Sequence, residues 1–194
     1  MTIYLIRHGE SLSDVNQRYD GDYDDPLTPA GIAQAQTIAQ SPLLTDIQAI
    51  YTSTKIRAQQ TAEILHRTLN IPVTTVSGLA EQDIYGAFLD LAKDQPEEEY
   101  RRLGEVLVNK DTAYPGTETY QEFKERVLES FEVLLRLDYE QIAIITHGGP
   151  IRCIFRELIP SLSIQSLGNG CVIELELGGT TLDVTQSMGV IWHE

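Results

Sequence analysis

The chain has 194 residues, 42% hydrophobic and 22% charged, which suits one ordinary globular domain over 1–194 and excludes disorder, collagen-like repeats and coiled coil as whole-chain descriptions. Its 14 Lys+Arg against 29 Asp+Glu leave a net charge of −15, so it repels nucleic-acid phosphates and anionic membranes, and neither is expected as a partner. Cys153 and Cys171 form no CxxC pair and no zinc spacing, and read as reduced core thiols. The N-terminus lacks the features of a signal peptide and the apolar runs are too short to span a bilayer, so a cytoplasmic location is expected.

Taken in chain order, Ile3 to Ile6 is a short apolar run ending at Arg7-His8-Gly9-Glu10, a buried strand entering a loop. Thr28-Pro29 predicts a helix start, and Ile32, Ala35 and Ile38 continue it at helical spacing. Ile47 to Thr52 predicts a second strand. A helix follows with Ile56, Ala62, Leu65 and Leu69 on its apolar side, ending before Pro72, and Val73 to Val76 is a third strand candidate. Residues 81–112 read as a helical insertion or lid, with Gln95-Pro96-Glu97 as a helix start. Tyr120, Phe123, Val127, Phe131, Leu134 and Leu135 trace an amphipathic helix. Ile142 to Thr146 is the clearest buried strand; it runs into His147-Gly148-Gly149-Pro150 and a helix to about Leu158. Alternation from Val172 to Glu176, Gly178-Gly179, then Leu182 and Val184 predicts a C-terminal hairpin. Strands alternating with helices imply a three-layer α/β/α fold with a mostly parallel central sheet and the helical insertion near the active site.

In such sheets ligands bind beyond the carboxyl ends of the strands. Two of the four histidines, His8 and His147, end apolar strands and precede glycine; if those strands are parallel, both imidazoles reach one rim. His66, in a helical pattern, and His193, beside the C-terminus, read as incidental. Arg7 supplies a planar fork suited to phosphate, and Gly9 would let the backbone approach a ligand closely. The acidic run Asp20 to Asp25 lacks EF-hand spacing and reads as a solvated loop.

The tetrad Arg7-His8-Gly9-Glu10 after an N-terminal strand resembles the signature of the histidine phosphatase superfamily, phosphoglycerate mutase-like branch. Ser11 stands where the family has Thr or Ser, and Arg18 and Gly21 keep their spacing from His8. Asp25-Pro26-Leu27-Thr28 with Gly31, Gln34 and Ala35 resembles its D-x-P-L-T-x-x-G-x-x-Q-A segment. Ser53 to Ala58 with Thr61-Ala62, Leu79-Ala80-Glu81, and Pro115 to Thr119 with Arg126 resemble further family blocks. Thr146 to Arg152 resembles its second histidine motif. The order of these landmarks is the specific feature.

The resemblance implies a metal-independent phosphomonoesterase with no cofactor, whose partner is a small phosphorylated substrate. It implies that His8 attacks phosphorus and forms a phosphohistidine, with Arg7, Arg57 and His147 around the phosphoryl oxygens and Glu81 as general acid. Gly9, Ser11 and Gly148 are expected at the phosphate or substrate, and Asn16 is a further binding candidate. Two positions depart from the family pattern. Asp14 stands where Asn usually contacts phosphate; it turns away, is protonated, or pairs with an arginine. Thr117 replaces a usual glycine. A shorter, acidic 81–112 region favours hydrolysis over a phosphoglycerate mutase, and the full catalytic set favours an enzyme over an idle phospho-ligand-binding module. Arg101, Arg102 and Arg152 are candidates for a second anion, with solvated or structural roles favoured. Oligomeric state is left open.

Overall fold

Strand alternation sets the architecture in the computed structural model, which describes residues 1–16, 24–83 and 117–193. The strands are β1 (Thr2–Arg7), β2 (Ala49–Thr52), β3 (Val73–Thr75), β4 (Gln141–Thr146), β5 (Ile164–Gly178) and β6 (Thr181–Trp192), in the spatial order β3-β2-β4-β1-β5-β6. The first four in that order are parallel, and β5 runs antiparallel to both β1 and β6. Among the described residues the α-helices are α1 (Leu12–Asn16), α2 (Pro29–Ala39), α3 (Ile56–Leu69), α4 (Tyr120–Leu135) and α5 (Gly148–Leu158).

Successive side chains of a strand face opposite ways, so each central strand feeds two cores. Ile3, Leu5, Ile142 and Ile144 pack with Phe123, Val127 and Phe131 of α4 and with Ile151 and Ile154 of α5. Tyr4, Ile6, Ala143 and Ile145 pack with Ile38 of α2 and Ala58, Ala62 and Leu65 of α3. The sheet is thus covered on both faces, as the alternating pattern implies. Among the described residues no helix is long and apolar enough to cross a membrane.

Local chemistry starts and stops the helices. Thr28 caps α2, its hydroxyl oxygen accepting from the Gly31 N–H at 3.0 Å, with Pro29 in the first turn. Thr119 and Glu122 form a reciprocal capping box on α4. Asn70, at φ 57°, ends α3 in the left-handed region. The hairpin turns through Gly179, at φ 66°.

Two expectations about helix faces are corrected. Ile32 and Ile56 are 42% and 40% exposed. In α2 the sheet side carries Gly31, Ala35, Ile38 and Ala39, and in α3 it carries Arg57, Ala58, Thr61, Ala62 and Leu65. Each buried stripe is rotated from the apolar pattern because small or functional residues occupy the closest approaches. Cys153 and Cys171 are buried free thiols. The expected insertion at 81–112 lies, from residue 84 onward, outside the described residues.

Candidate active site

β1 and β4 are adjacent and parallel, with Arg7 opposite Thr146, so their next residues, His8 and His147, emerge side by side. The His8 N–H donates to the Thr146 carbonyl at 3.0 Å, and the two rings lie 4.9 Å apart at 62°. Both histidines are buried. On the other side of β1, β5 is irregular between Leu167 and Val172, next to Gly170 at φ 69°. That kink brings the Gly170 N–H to the His8 carbonyl at 3.0 Å and the Leu167 carbonyl to Arg7 Nη1 at 2.7 Å.

Hydrogen bonds assign the tautomers. His8 Nδ1 lies 2.7 Å from the Gly9 carbonyl, which can only accept, so the proton is on Nδ1 and the lone pair on Nε2. That lone pair accepts from Arg57 Nε at 3.1 Å. Burial first, then the positive charges of Arg57 and Arg7, push the His8 pKa down to about 3, against the opposing pull of the Gly9 carbonyl and Asp14. His147 Nε2 lies 2.7 Å from Ser53 Oγ. Ser53 Oγ accepts from the Lys55 N–H and still has its own hydrogen to give; donated to His147 Nε2, that hydrogen would leave the His147 proton on Nδ1. Burial, and then the fields of His8, Arg57, Arg7 and Lys55, hold His147 well below the ordinary histidine range.

Two buried polar atoms at this rim, Arg7 Nε and His147 Nδ1, have no protein partner. Buried polar atoms are normally satisfied, so this unpartnered pair leaves hydrogen-bonding capacity for a bound group at one rim. Arg57, 2% exposed, reaches the rim from the first turn of α3. Arg7 directs Nη2 to Asp14 Oδ1 at 2.8 Å, which settles the three alternatives for that residue: Asp14 pairs with an arginine.

Glu81 follows a 3₁₀ turn (Ser77–Leu79) and sits at the start of α5. Its Oε2 accepts from the Gly149 N–H at 3.1 Å and its Oε1 from the Gln82 N–H at 3.0 Å. A Cβ on Gly149 would overlap Glu81 Oε1. Arg126 of α4 ties down the backbone here, with Nη1 to the Gly78 and Ala80 carbonyls at 2.9 Å each and Nη2 to the Glu81 carbonyl at 3.0 Å. Glu118 pairs with Arg126 and also accepts from the Asp83 N–H at 3.3 Å. Thr146 Oγ1 donates to the Leu79 carbonyl at 2.6 Å, joining this segment to the end of β4.

The fold therefore brings together Arg7, His8, Arg57, Glu81, His147 and Gly148. A Cβ on Gly148 would meet Arg7 Nε at 4.0 Å and nothing closer, which places Gly148 on the open side of that unpartnered nitrogen. Gly9 and Ser11, expected at the ligand, lie one layer deeper. Gly9 packs so tightly on Gly31 of α2 that any Cβ would clash, and its N–H goes to Thr61 Oγ1 at 3.2 Å. The Ser11 N–H and hydroxyl both go to Asp14 Oδ2, at 2.9 and 2.7 Å. Asn16 closes α1, and its side chain, like Arg18 and Gly21, lies outside the described residues. His66 donates from Nδ1 to the Ile71 carbonyl at 2.7 Å, a helix-end role away from the rim. Sequence reasoning missed Ser53 as the partner of His147 and Arg126 as the tether of Glu81. Ser53 opens the Ser53 to Ala58 block, but no spacing rule links a serine after β2 to a histidine after β4.

The chain is 29% identical over 178 residues to the uncharacterized phosphatase PhoE of Bacillus subtilis (strain 168), covering 90% of this chain and 87% of that one. It is 30% identical over 162 residues to the probable phosphoglycerate mutase GpmB of Salmonella choleraesuis (strain SC-B67), covering 82% and 75%. Its fold matches the structure of Bacillus stearothermophilus YhfR with a TM-score of 0.77 and 26% identity, over 95% of each chain. The model of the histidine phosphatase superfamily (branch 1) matches residues 3–187, which include both strand-end histidines and every rim residue described above, and the chain belongs to that superfamily.

Proposed function

We propose that the protein is a metal-independent phosphomonoester hydrolase that acts on a small phosphorylated metabolite through a phosphohistidine. The observation that carries this reading is the state of His8: a tautomer fixed by the Gly9 carbonyl, a lone pair on Nε2, and burial beside two arginines that keeps the ring unprotonated at neutral pH.

The phosphoryl group enters between Arg7 Nε and His147 Nδ1, and Arg57 moves its N–H from His8 Nε2 onto a phosphoryl oxygen. Nε2 attacks phosphorus, the N–P bond forms and the P–O bond to the alcohol breaks. Charge spread over the equatorial oxygens is met by the two guanidiniums and the His147 N–H. Glu81 acts as the general acid and gives a proton to the leaving alkoxide. Its carboxylate then takes a proton from water, whose oxygen attacks phosphorus as the N–P bond breaks. Inorganic phosphate leaves, and His8 and Glu81 are restored.

Purified protein is expected to hydrolyse a small aryl phosphate in EDTA. His8→Ala is expected to lose at least about a hundredfold in kcat, and rapid quenching of wild type should trap an acid-labile phosphoenzyme that the variant lacks. Full activity in His8→Ala would end the reading. The name of the Salmonella relative supports a second one, a mutase. A mutase returns the phosphoryl group to a phosphoglycerate instead of water, so continuous release of inorganic phosphate separates the two.

A further inference from the structure

The carboxylate of Asp14 lies at the edge of an anion site. Three donors fix it there: Arg7 Nη2 on Oδ1, and the Ser11 N–H and hydroxyl on Oδ2. Its direction is a consequence of local structure. Ser11 precedes the first residue of α1 and Asp14 is the third residue within it, so the side chain folds back to cap the helix start, as in a capping box. That fold-back lays a formal negative charge against the arginine whose remaining nitrogen, Nε, is buried and unpartnered. Both side chains of the pair are about one-fifth exposed, so bulk water screens the charge only in part.

The charged and titratable groups facing this place come from every neighbouring element. Among the described residues they are Arg7 and His8 at the end of β1, Arg57 from α3 with Lys55 just before it, His147 before α5, Glu81 against the start of α5, Arg152 within α5 and the Cys171 thiol of β5. His8 and His147 are neutral. Burial opposes the charge on Asp14, but the hydrogen bonds from the Ser11 hydroxyl and N–H, with the positive charge of Arg7, outweigh it and hold the carboxyl below its usual range. An amide of the same shape carries no charge; its one oxygen could accept from the Ser11 donors, and its NH2, which cannot accept, would then face Arg7 Nη2. The carboxylate subtracts one unit from the positive potential that a phosphoryl group meets, and a dianion feels that subtraction twice as strongly as a monoanion.

We propose that Asp14 is a specificity-determining residue that tunes the site toward singly charged phosphoryl groups and keeps dianionic product phosphate weakly held. This rests on the reading of the rim as a phosphate site. A phosphomonoester takes its second charge near pH 6, so substrate in the cell is divided between the two forms and the choice between them has consequences.

The test uses two anions of fixed charge, sulfate (−2) and methanesulfonate (−1), with binding to wild type and Asp14→Asn measured by calorimetry at pH 7. No turnover is needed. In wild type, sulfate is expected to bind no more than about threefold more tightly than methanesulfonate, and in Asp14→Asn its advantage is expected to grow by about tenfold or more. A purely structural role would weaken both anions alike and leave their ratio unchanged, which would overturn the proposal while leaving the phosphate site intact. A wild-type preference for sulfate above about thirtyfold would overturn it without any variant. Failure of both anions to bind wild type would remove the phosphate site itself, and this proposal with it.

Discussion

Gly149 has no side chain because the Glu81 carboxylate fills the space one would need. The same contact gives Glu81 its aim, since the amide of Gly149 holds one carboxylate oxygen at the mouth of the helix. Gly149→Ala is therefore expected to push the carboxyl off that amide without touching His8. General-acid help matters most when the leaving group is a poor one. Turnover of an alkyl phosphate should then fall by about a hundredfold, while an aryl phosphate with a good leaving group falls several-fold at most. Measuring kcat on both esters checks this, and an equal loss on both would assign the damage to packing. In sequence Glu81 stands out only through the L-x-E resemblance; its surroundings, a run of acids, suggest only solvated surface.

Among the elements, α4 acts on the site from a distance. Arg126 points from its second turn to three carbonyls of the segment 78–81, and Glu118, just before the helix, neutralises it. Arg126 is a positioning residue for Glu81. Arg126→Met is expected to lower stability by about 2 kcal/mol in urea titrations and to reproduce the leaving-group bias of Gly149→Ala. Arg126→Lys, which cannot reach three carbonyls, should recover only part of the alkyl phosphatase activity. What could be read in the sequence also divides by element. β1, β4 and α4 were legible because their apolar periods are long or sharply bounded, and both histidines were legible because they end such strands. Ile32 and Ile56 misled because the buried faces of α2 and α3 include Gly31, packed on the loop after β1, and Arg57, bonded to His8, whose burial no apolar pattern reveals. The irregularity in β5 near Gly170 was hidden because register with β6 and contact with His8 create it, both long-range facts. The Arg7–Asp14 pair was one of three open alternatives, since a seven-residue separation across a loop fixes no geometry.

For the whole molecule, the buried histidines set the response to acid. His8 is neutral in the fold down to about pH 3, whereas in the unfolded chain it protonates near 6.5. The unfolded state thus binds the extra proton first, and the stability that His8 contributes is complete above pH 6.5 and is lost as pH falls toward 3. Between pH 7.5 and 5 the loss from His8 is about 2 kcal/mol, and His147, shifted the same way, adds to it. His8→Gln should therefore lose about 2 kcal/mol less than wild type across that interval in paired urea titrations, a difference from which the −15 net charge cancels. β1 carries a separate consequence. It lies between β4 and β5, pairing with residues 141–146 on one side and 172–176 on the other. A ribosome that has made the first hundred residues has made His8 and Arg57 but neither strand that flanks β1. Both edges of this apolar strand then stand open, and the site cannot close until the last third of the chain emerges. Such distant pairings fold slowly and expose sticky edges while they wait. The growing chain should therefore be a customer for chaperones well before its two strand-end histidines can meet.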